Sequence, residues 1–128
     1  MPQGTRAPRV LVADDDADTR ELYAYVLRAQ GYDVKEVGDG IAATKEISQN
    51  PPDLVIADIR MPRADGFEVS RICKAHEPNP IPVIIVTAWS TGDTVSRAEE
   101  AGADAVLLKP VDPQDVVAAV QRLLGSKT

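Results

Sequence analysis

Apolar residues fall along this chain in two alternating rhythms. Unbroken runs at Arg9-Val-Leu-Val-Ala13, Leu54-Val-Ile-Ala57, Ile81-Pro-Val-Ile-Ile-Val86 and Ala105-Val-Leu-Leu108 have the composition and length of strands buried on both faces. Tyr32 to Val37 alternates apolar with polar positions and predicts an edge strand. Amphipathic stretches lie between these runs. Leu22, Tyr23, Val26 and Leu27 mark a first helix, capped by Asp16 or Asp18 and ended by Gly31. Ala43 and Ile47 mark a second, closed by Asn50-Pro51-Pro52. Phe67, Val69, Ile72 and Cys73 mark a third, closed by Pro78-Asn79-Pro80. A fourth, around Val95, Ala98 and Ala101, is poor in large apolar side chains. Val116, Val117, Val120, Leu123 and Leu124 give the clearest stripe, with Asp112 as cap and Pro113 in the first turn.

Strand and helix in alternation predict an α/β fold of three layers, a parallel sheet with helices on both faces. Right-handed crossovers limit the topologies further. Ligands of such sheets collect outside the carboxyl ends of the strands, where strand order switches. Here those ends carry Asp14 and Asp15, Asp58, Thr87 and Lys109. Different strands therefore deliver polar side chains to one rim.

The bulk properties narrow the class. A length of 128 residues fits one domain, read as residues 9–125 between short tails at 1–8 and 126–128. No apolar run reaches membrane-spanning length, and Met1 to Arg9 lacks the apolar middle of a secretion signal. The lone Cys73 excludes an internal disulfide and suits a reducing compartment, so a cytoplasmic location is expected. A net charge of −6 argues against direct nucleic-acid binding.

Carboxylates crowded at one rim repel one another unless a cation balances them. A hard divalent ion with oxygen ligands, Mg²⁺ or alternatively Mn²⁺, would do so. Lys109 adds a second positive charge, and Thr87 a hydroxyl donor. A carboxylate nucleophile, a divalent metal, an amine and a hydroxyl together suit phosphoryl transfer, in which positioning and charge neutralisation dominate. Taken singly, Asp14-Asp15-Asp16 reads as a capping turn, Asp58 as a loop-entry acid, Thr87 as a strand-end residue and Lys109 as a solvated lysine. Their joint placement is what those separate readings leave unexplained. Other acid motifs fail: an EF-hand starting at Asp14 has Thr19 where glycine is needed and Tyr25 where glutamate is needed. The Asp-x-Asp-x-Thr/Val motif of haloacid-dehalogenase phosphatases meets Asp18 or Arg20 at its last position, and there is no glycine-rich phosphate loop.

With Asp14-Asp15-Asp16, Asp58-Ile-Arg-Met-Pro62, Asp65-Gly66, Val86-Thr87-Ala88 and Lys109-Pro110 in this order, the chain resembles the response-regulator receiver family over about residues 9 to 124. The resemblance implies a flavodoxin-like, doubly wound five-stranded sheet in the order 2-1-3-4-5. It implies Asp58 as acceptor of a phosphoryl group from a histidine kinase or phosphotransfer protein, and Mg²⁺ held by Asp15, Asp58 and the Arg60 backbone carbonyl, with Asp14 acting mainly through water. Lys109 would contact the phosphoryl oxygens, Thr87 would swing in to bond them, and the Lys109–Pro110 peptide would be cis. The module would be a signalling domain with only its own phosphorylation and dephosphorylation chemistry. Its output partner, or a second copy in a homodimer, would meet the face made by the fourth helix, fifth strand and fifth helix.

Two positions depart from the family. Val106 stands where an aromatic switch residue is usual, and Val111 replaces the common aromatic after Lys-Pro. The inward-turning ring behind the threonine is therefore missing, and the output face is expected to move differently or less. A degenerate receiver that acts only as an interaction module is the competing class; a stand-alone phosphohydrolase is the third. Arg60 and Trp89 flank the phosphoryl position in the family, and stacking of one on the other would shield an acyl phosphate from water. The bland reading of that pair is a solvent-facing arginine and a partner-facing tryptophan. Cys73 on the third helix reads as core filling, and His76 on the same helix, just before the Glu77-Pro78 loop, has no phosphotransfer role assigned.

Overall fold

The computed structural model describes residues 6–63, 65–88 and 92–125. In chain order the elements are β1 (Arg9–Ala13), α1 (Ala17–Ala29), β2 (Asp33–Val37), α2 (Gly40–Gln49), β3 (Leu54–Ala57), α3 (Gly66–Lys74), β4 (Val83–Thr87), α4 (Thr94–Glu100), β5 (Ala105–Leu108) and α5 (Pro113–Leu124). All strand pairs are parallel, in the order β2-β1-β3-β4-β5. This is the expected three-layer, doubly wound arrangement. Just before β1, the Pro8 carbonyl accepts from Asp33 N at 3.0 Å. Trp89 and residues 1–5 and 126–128 lie outside the described residues.

The strands are apolar throughout because both faces are covered. Leu11, Ala13, Val55, Ala57, Val83 and Ile85 pack with Ala43 and Ile47 of α2, Phe67, Val69 and Cys73 of α3 and Ala98 of α4. The intervening residues Val10, Val12, Leu54, Ile56, Ile84 and Val86 pack with Tyr23, Ala24 and Leu27 of α1 and Val116, Val117 and Val120 of α5. Period-two alternation thus divides each run between two cores.

Several boundaries differ from expectation for identifiable reasons. β4 starts at Val83, not Ile81, because Pro82 has no N–H for the ladder; Ile81 is buried all the same. α3 stops at Lys74, well before Pro78, because the Cys73 carbonyl accepts from both His76 N (3.2 Å) and Ile81 N (3.0 Å). His76 therefore sits in the following loop, its Nδ1 3.1 Å from the Asn79 carbonyl oxygen. In α4 the inward positions are Thr94, Ala98 and Ala101, spaced i, i+4, i+7, so Val95 faces outward at 46% exposure. Leu22 of α1 is likewise exposed, and Ala24 takes the inward place. Asp39 and Asp65 cap α2 and α3 by accepting from Ala42 N and Glu68 N. Asp16, at the head of α1, instead accepts from the Thr19 hydroxyl.

Candidate phosphoryl-acceptor site

The register places the expected residues level with one another. Ala13 lies opposite Ala57, and Thr87 opposite Leu108. Asp14, Asp58 and Lys109 are each the next residue along. The ladder continues into them: Asp58 N donates to Ala13 O at 3.0 Å, and Lys109 N donates to Thr87 O at 2.9 Å. The Lys109–Pro110 peptide is cis, as the resemblance implied.

Lys109 Nζ donates to Asp58 Oδ2 at 2.7 Å and to Asp14 Oδ2 at 2.9 Å. The remaining carboxylate oxygens face backbone amides. Asp14 Oδ1 accepts from Asp16 N at 2.9 Å, and Asp58 Oδ1 from Arg60 N at 3.2 Å. Both aspartates are buried. Burial is the strongest influence on the Asp14 carboxyl and holds its pKa above the ordinary 3.8, against the pull of the Asp16 amide and Lys109. Burial would push the Lys109 ammonium down, but its bonds to Asp58 and Asp14 outweigh it and its pKa stands above the ordinary 10.5. Two buried carboxyl groups thus share one ammonium, which offsets only part of the charge crowded there.

A cleft of about 620 Å³ opens beside this cluster, lined by Asp15, Asp58, Arg60, Met61, Asp65 and Thr87, among others. Asp15 is exposed on its wall, and Thr87 is buried behind it. Among the described residues no three Asp, Glu, His or Cys side chains converge closely enough to hold a metal ion by themselves. Of the aspartates on the cleft, Asp15 and Asp58 nevertheless suit Mg²⁺, which is usually bound through one or two carboxylates and keeps several waters. The donors therefore fit a magnesium ion held largely by water.

Gly66 shows why the loop after β3 closes as it does. Its amide donates to Ile59 O at 3.0 Å. A Cβ there would lie 2.5 Å from the Asp58 carbonyl oxygen and 2.9 Å from Ile59 Cα. Only glycine lets the head of α3 rest on the loop after β3 in this way.

Of the other expected residues, Val106 faces the α2–α4 core, partly buried and away from the cleft wall. Val111 packs on the α1–α5 side. Sequence reasoning did not find Arg20, whose Nη1 donates to the Asp14 carbonyl at 2.8 Å. No pattern on α1 signals a contact made through backbone.

A family model described as the response regulator receiver domain matches residues 10–121. The DNA-binding response regulator MtrA of Mycobacterium tuberculosis is 36% identical over 120 residues, which is 94% of this chain and 52% of that protein. The chain thus spans about half the length of the curated relatives it matches. The signal receiver domain of a signal transduction histidine kinase from Syntrophus aciditrophicus superposes with a TM-score of 0.86 at 33% identity, covering 94% of this chain and 92% of that one. The receiver domain of the sensor histidine kinase PA1611 from Pseudomonas aeruginosa PAO1, whose structure has a magnesium ion coordinated in the active site cleft, superposes with a TM-score of 0.83 at 28% identity, covering 93% and 98%.

Proposed function

Because this chain belongs to the response-regulator receiver family of two-component signalling, we propose that Asp58 is the residue that accepts a phosphoryl group from a histidine kinase or phosphotransfer protein. In the transfer a carboxylate oxygen of Asp58 forms the new P–O bond as the P–N bond to the donor imidazole breaks, and the imidazole leaves with a proton. The observation that carries this reading is the Lys109 ammonium, 2.7 Å from Asp58 and 2.9 Å from Asp14 at the edge of the cleft. Lys109 holds Asp58 in place and offers its charge to the incoming phosphoryl oxygens. Thr87, on the same cleft, supplies a hydroxyl to a further oxygen. Asp15, Asp58 and the Arg60 carbonyl would hold Mg²⁺, with Asp14 acting through water; that ion would neutralise charge on the transferred group. Arg60, exposed at the cleft, would slow attack of water on the product.

The domain is read as a switch rather than an enzyme with an external substrate. Its output face is α4, β5 and α5, where Val95 and Leu108 are exposed and open to a partner or a second copy. No helix among the described residues is long and apolar enough to cross a membrane.

One observation favours a second reading, a module that binds partners without phosphorylation. Val106 is small and packed against the core, so β5 carries no ring to couple the acceptor to the output face. Mass spectrometry after treatment with a small phosphodonor, with and without Mg²⁺, separates the two. A Mg²⁺-dependent gain of one phosphoryl group, lost in Asp58→Asn, supports the first reading; an unmodified wild type supports the second.

A further inference from the structure

Arg20 links the acid pocket to the far edge of the sheet. Its guanidinium donates from Nη1 to the Asp14 carbonyl at 2.8 Å, and its buried Nε faces Glu36 Oε1 on β2 at 3.4 Å without a well-formed hydrogen bond. Glu36 is held in turn by Arg28, whose Nη1 reaches Glu36 Oε2 at 3.2 Å while its Nη2 donates to Val34 O at 2.9 Å. Gly38 leaves room for the fork, since a Cβ there would stand 3.3 Å from Arg20 Nη1. The Asp14 carbonyl belongs to the peptide plane joining Asp14 to Asp15. Fixing that plane sets the direction in which both acidic side chains leave the backbone.

We propose that Arg20, braced by Glu36, is a positioning residue that aims Asp14 and Asp15 at the metal. The inference rests on the proposed Mg²⁺ role of those two aspartates. A lysine could supply the charge but not the fork that reaches a carbonyl and a carboxylate together. Charge and clamp predict opposite signs. As a mere cation beside an acidic pocket, Arg20 would weaken Mg²⁺ binding, and removing it would tighten binding. As a clamp, it strengthens binding, and removing it loosens the ligands.

The experiment is a Mg²⁺ titration followed by backbone amide shifts of the folded protein, for wild type, Arg20→Met, Arg20→Lys and Glu36→Gln. The expected result is a Kd raised about tenfold in Arg20→Met, the scale of losing a group that orients a ligand, and not restored by Arg20→Lys. Glu36→Gln, which leaves Arg20 and the aspartates intact, shifts the Kd in the same direction by roughly two- to threefold. Combining it with Arg20→Met adds nothing further, because both act through one link. A Kd in Arg20→Met equal to or below that of wild type overturns the clamp, as does full rescue by lysine. Should Arg20→Met not fold, an unchanged Kd in Glu36→Gln overturns it alone. A wild type that binds no Mg²⁺ overturns the metal reading itself, a different outcome from wild-type binding that the variants share.

Discussion

The contact between Gly66 and the Asp58 backbone offers the sharpest test of how Asp58 is held. In Gly66→Ala the new methyl would sit 2.5 Å from the Asp58 carbonyl oxygen, where ordinary contact begins near 3.4 Å. The head of α3 and the loop after β3 must therefore part by about 0.9 Å, and the opposing atoms are backbone rather than a side chain that can turn aside. Overpacking of this kind costs roughly 1–3 kcal/mol, which would lower a urea midpoint by about 1 M for a slope near 1–3 kcal/mol/M. The functional loss is predicted to be larger than the stability loss. Asp58 makes its bond to Lys109 at 2.7 Å, and a misplacement near 1 Å can cost about 100-fold in rate. The assay is the rate of phosphodonor-driven modification at saturating Mg²⁺, measured well below the unfolding transition. Gly31→Ala is the control. It lies between α1 and β2 at a φ of +97°, with nothing within 4 Å of the new Cβ, so it should lose about 1 kcal/mol or more by strain alone and keep its phosphorylation rate. A folded Gly66→Ala protein modified within about threefold of the wild-type rate would refute the positional argument.

Other predictions follow from the same geometry. Lys109 has its pKa raised in the fold, so its stabilising contribution is complete below about 10.5 and disappears as pH rises through the folded value. Lys109→Met should flatten the fall in urea-derived stability between roughly pH 10 and 12, and an unaltered slope would contradict the ion-pair account. Arg63 holds a φ of +80°. Arg63→Gly should gain about 0.5 kcal/mol, as relief of roughly 1–2 kcal/mol is partly offset by the freedom glycine adds to the unfolded chain, and calorimetry would show it. Cys73 is buried, and that burial pushes its thiol up to about 12. A thiol reagent at pH 8 should modify it only as fast as the protein opens; rapid labelling of the folded state would show the α3 core to be looser than described.

Much of the fold was legible because buried parallel strands write themselves as unbroken Val, Ile and Leu runs. β1, β3 and β5 have the bounds their runs predicted. Where the reading slipped, a local rule had been overruled. Pro82 removed a ladder donor from β4, and the Ile81 amide claimed a carbonyl at the end of α3. Val95 helps mark the fourth helix in the sequence, but the inward positions of α4 are Thr94 and Ala98. The cluster of Asp14, Asp58 and Lys109 was legible because each follows directly on a recognisable strand and the register keeps the strand ends level. Arg20 and Glu36 were not, since charges on separate elements leave no periodic mark and their ion pair depends on how α1 packs on β2. Gly66 stood out as part of a motif, but its reason, a close approach of two backbones, exists only in three dimensions.

A sheet whose strands all run one way has a working rim and a quiet rim. The exposed turn around Asn79, past the end of α3, lies on the quiet one. A strand of five residues spans about 17 Å, twice the distance over which physiological salt screens a charge. A dye or tether coupled there would leave the electrostatics around Asp58 undisturbed and keep clear of the cleft, which makes that turn the natural handle for immobilising the domain or following it by single-molecule methods.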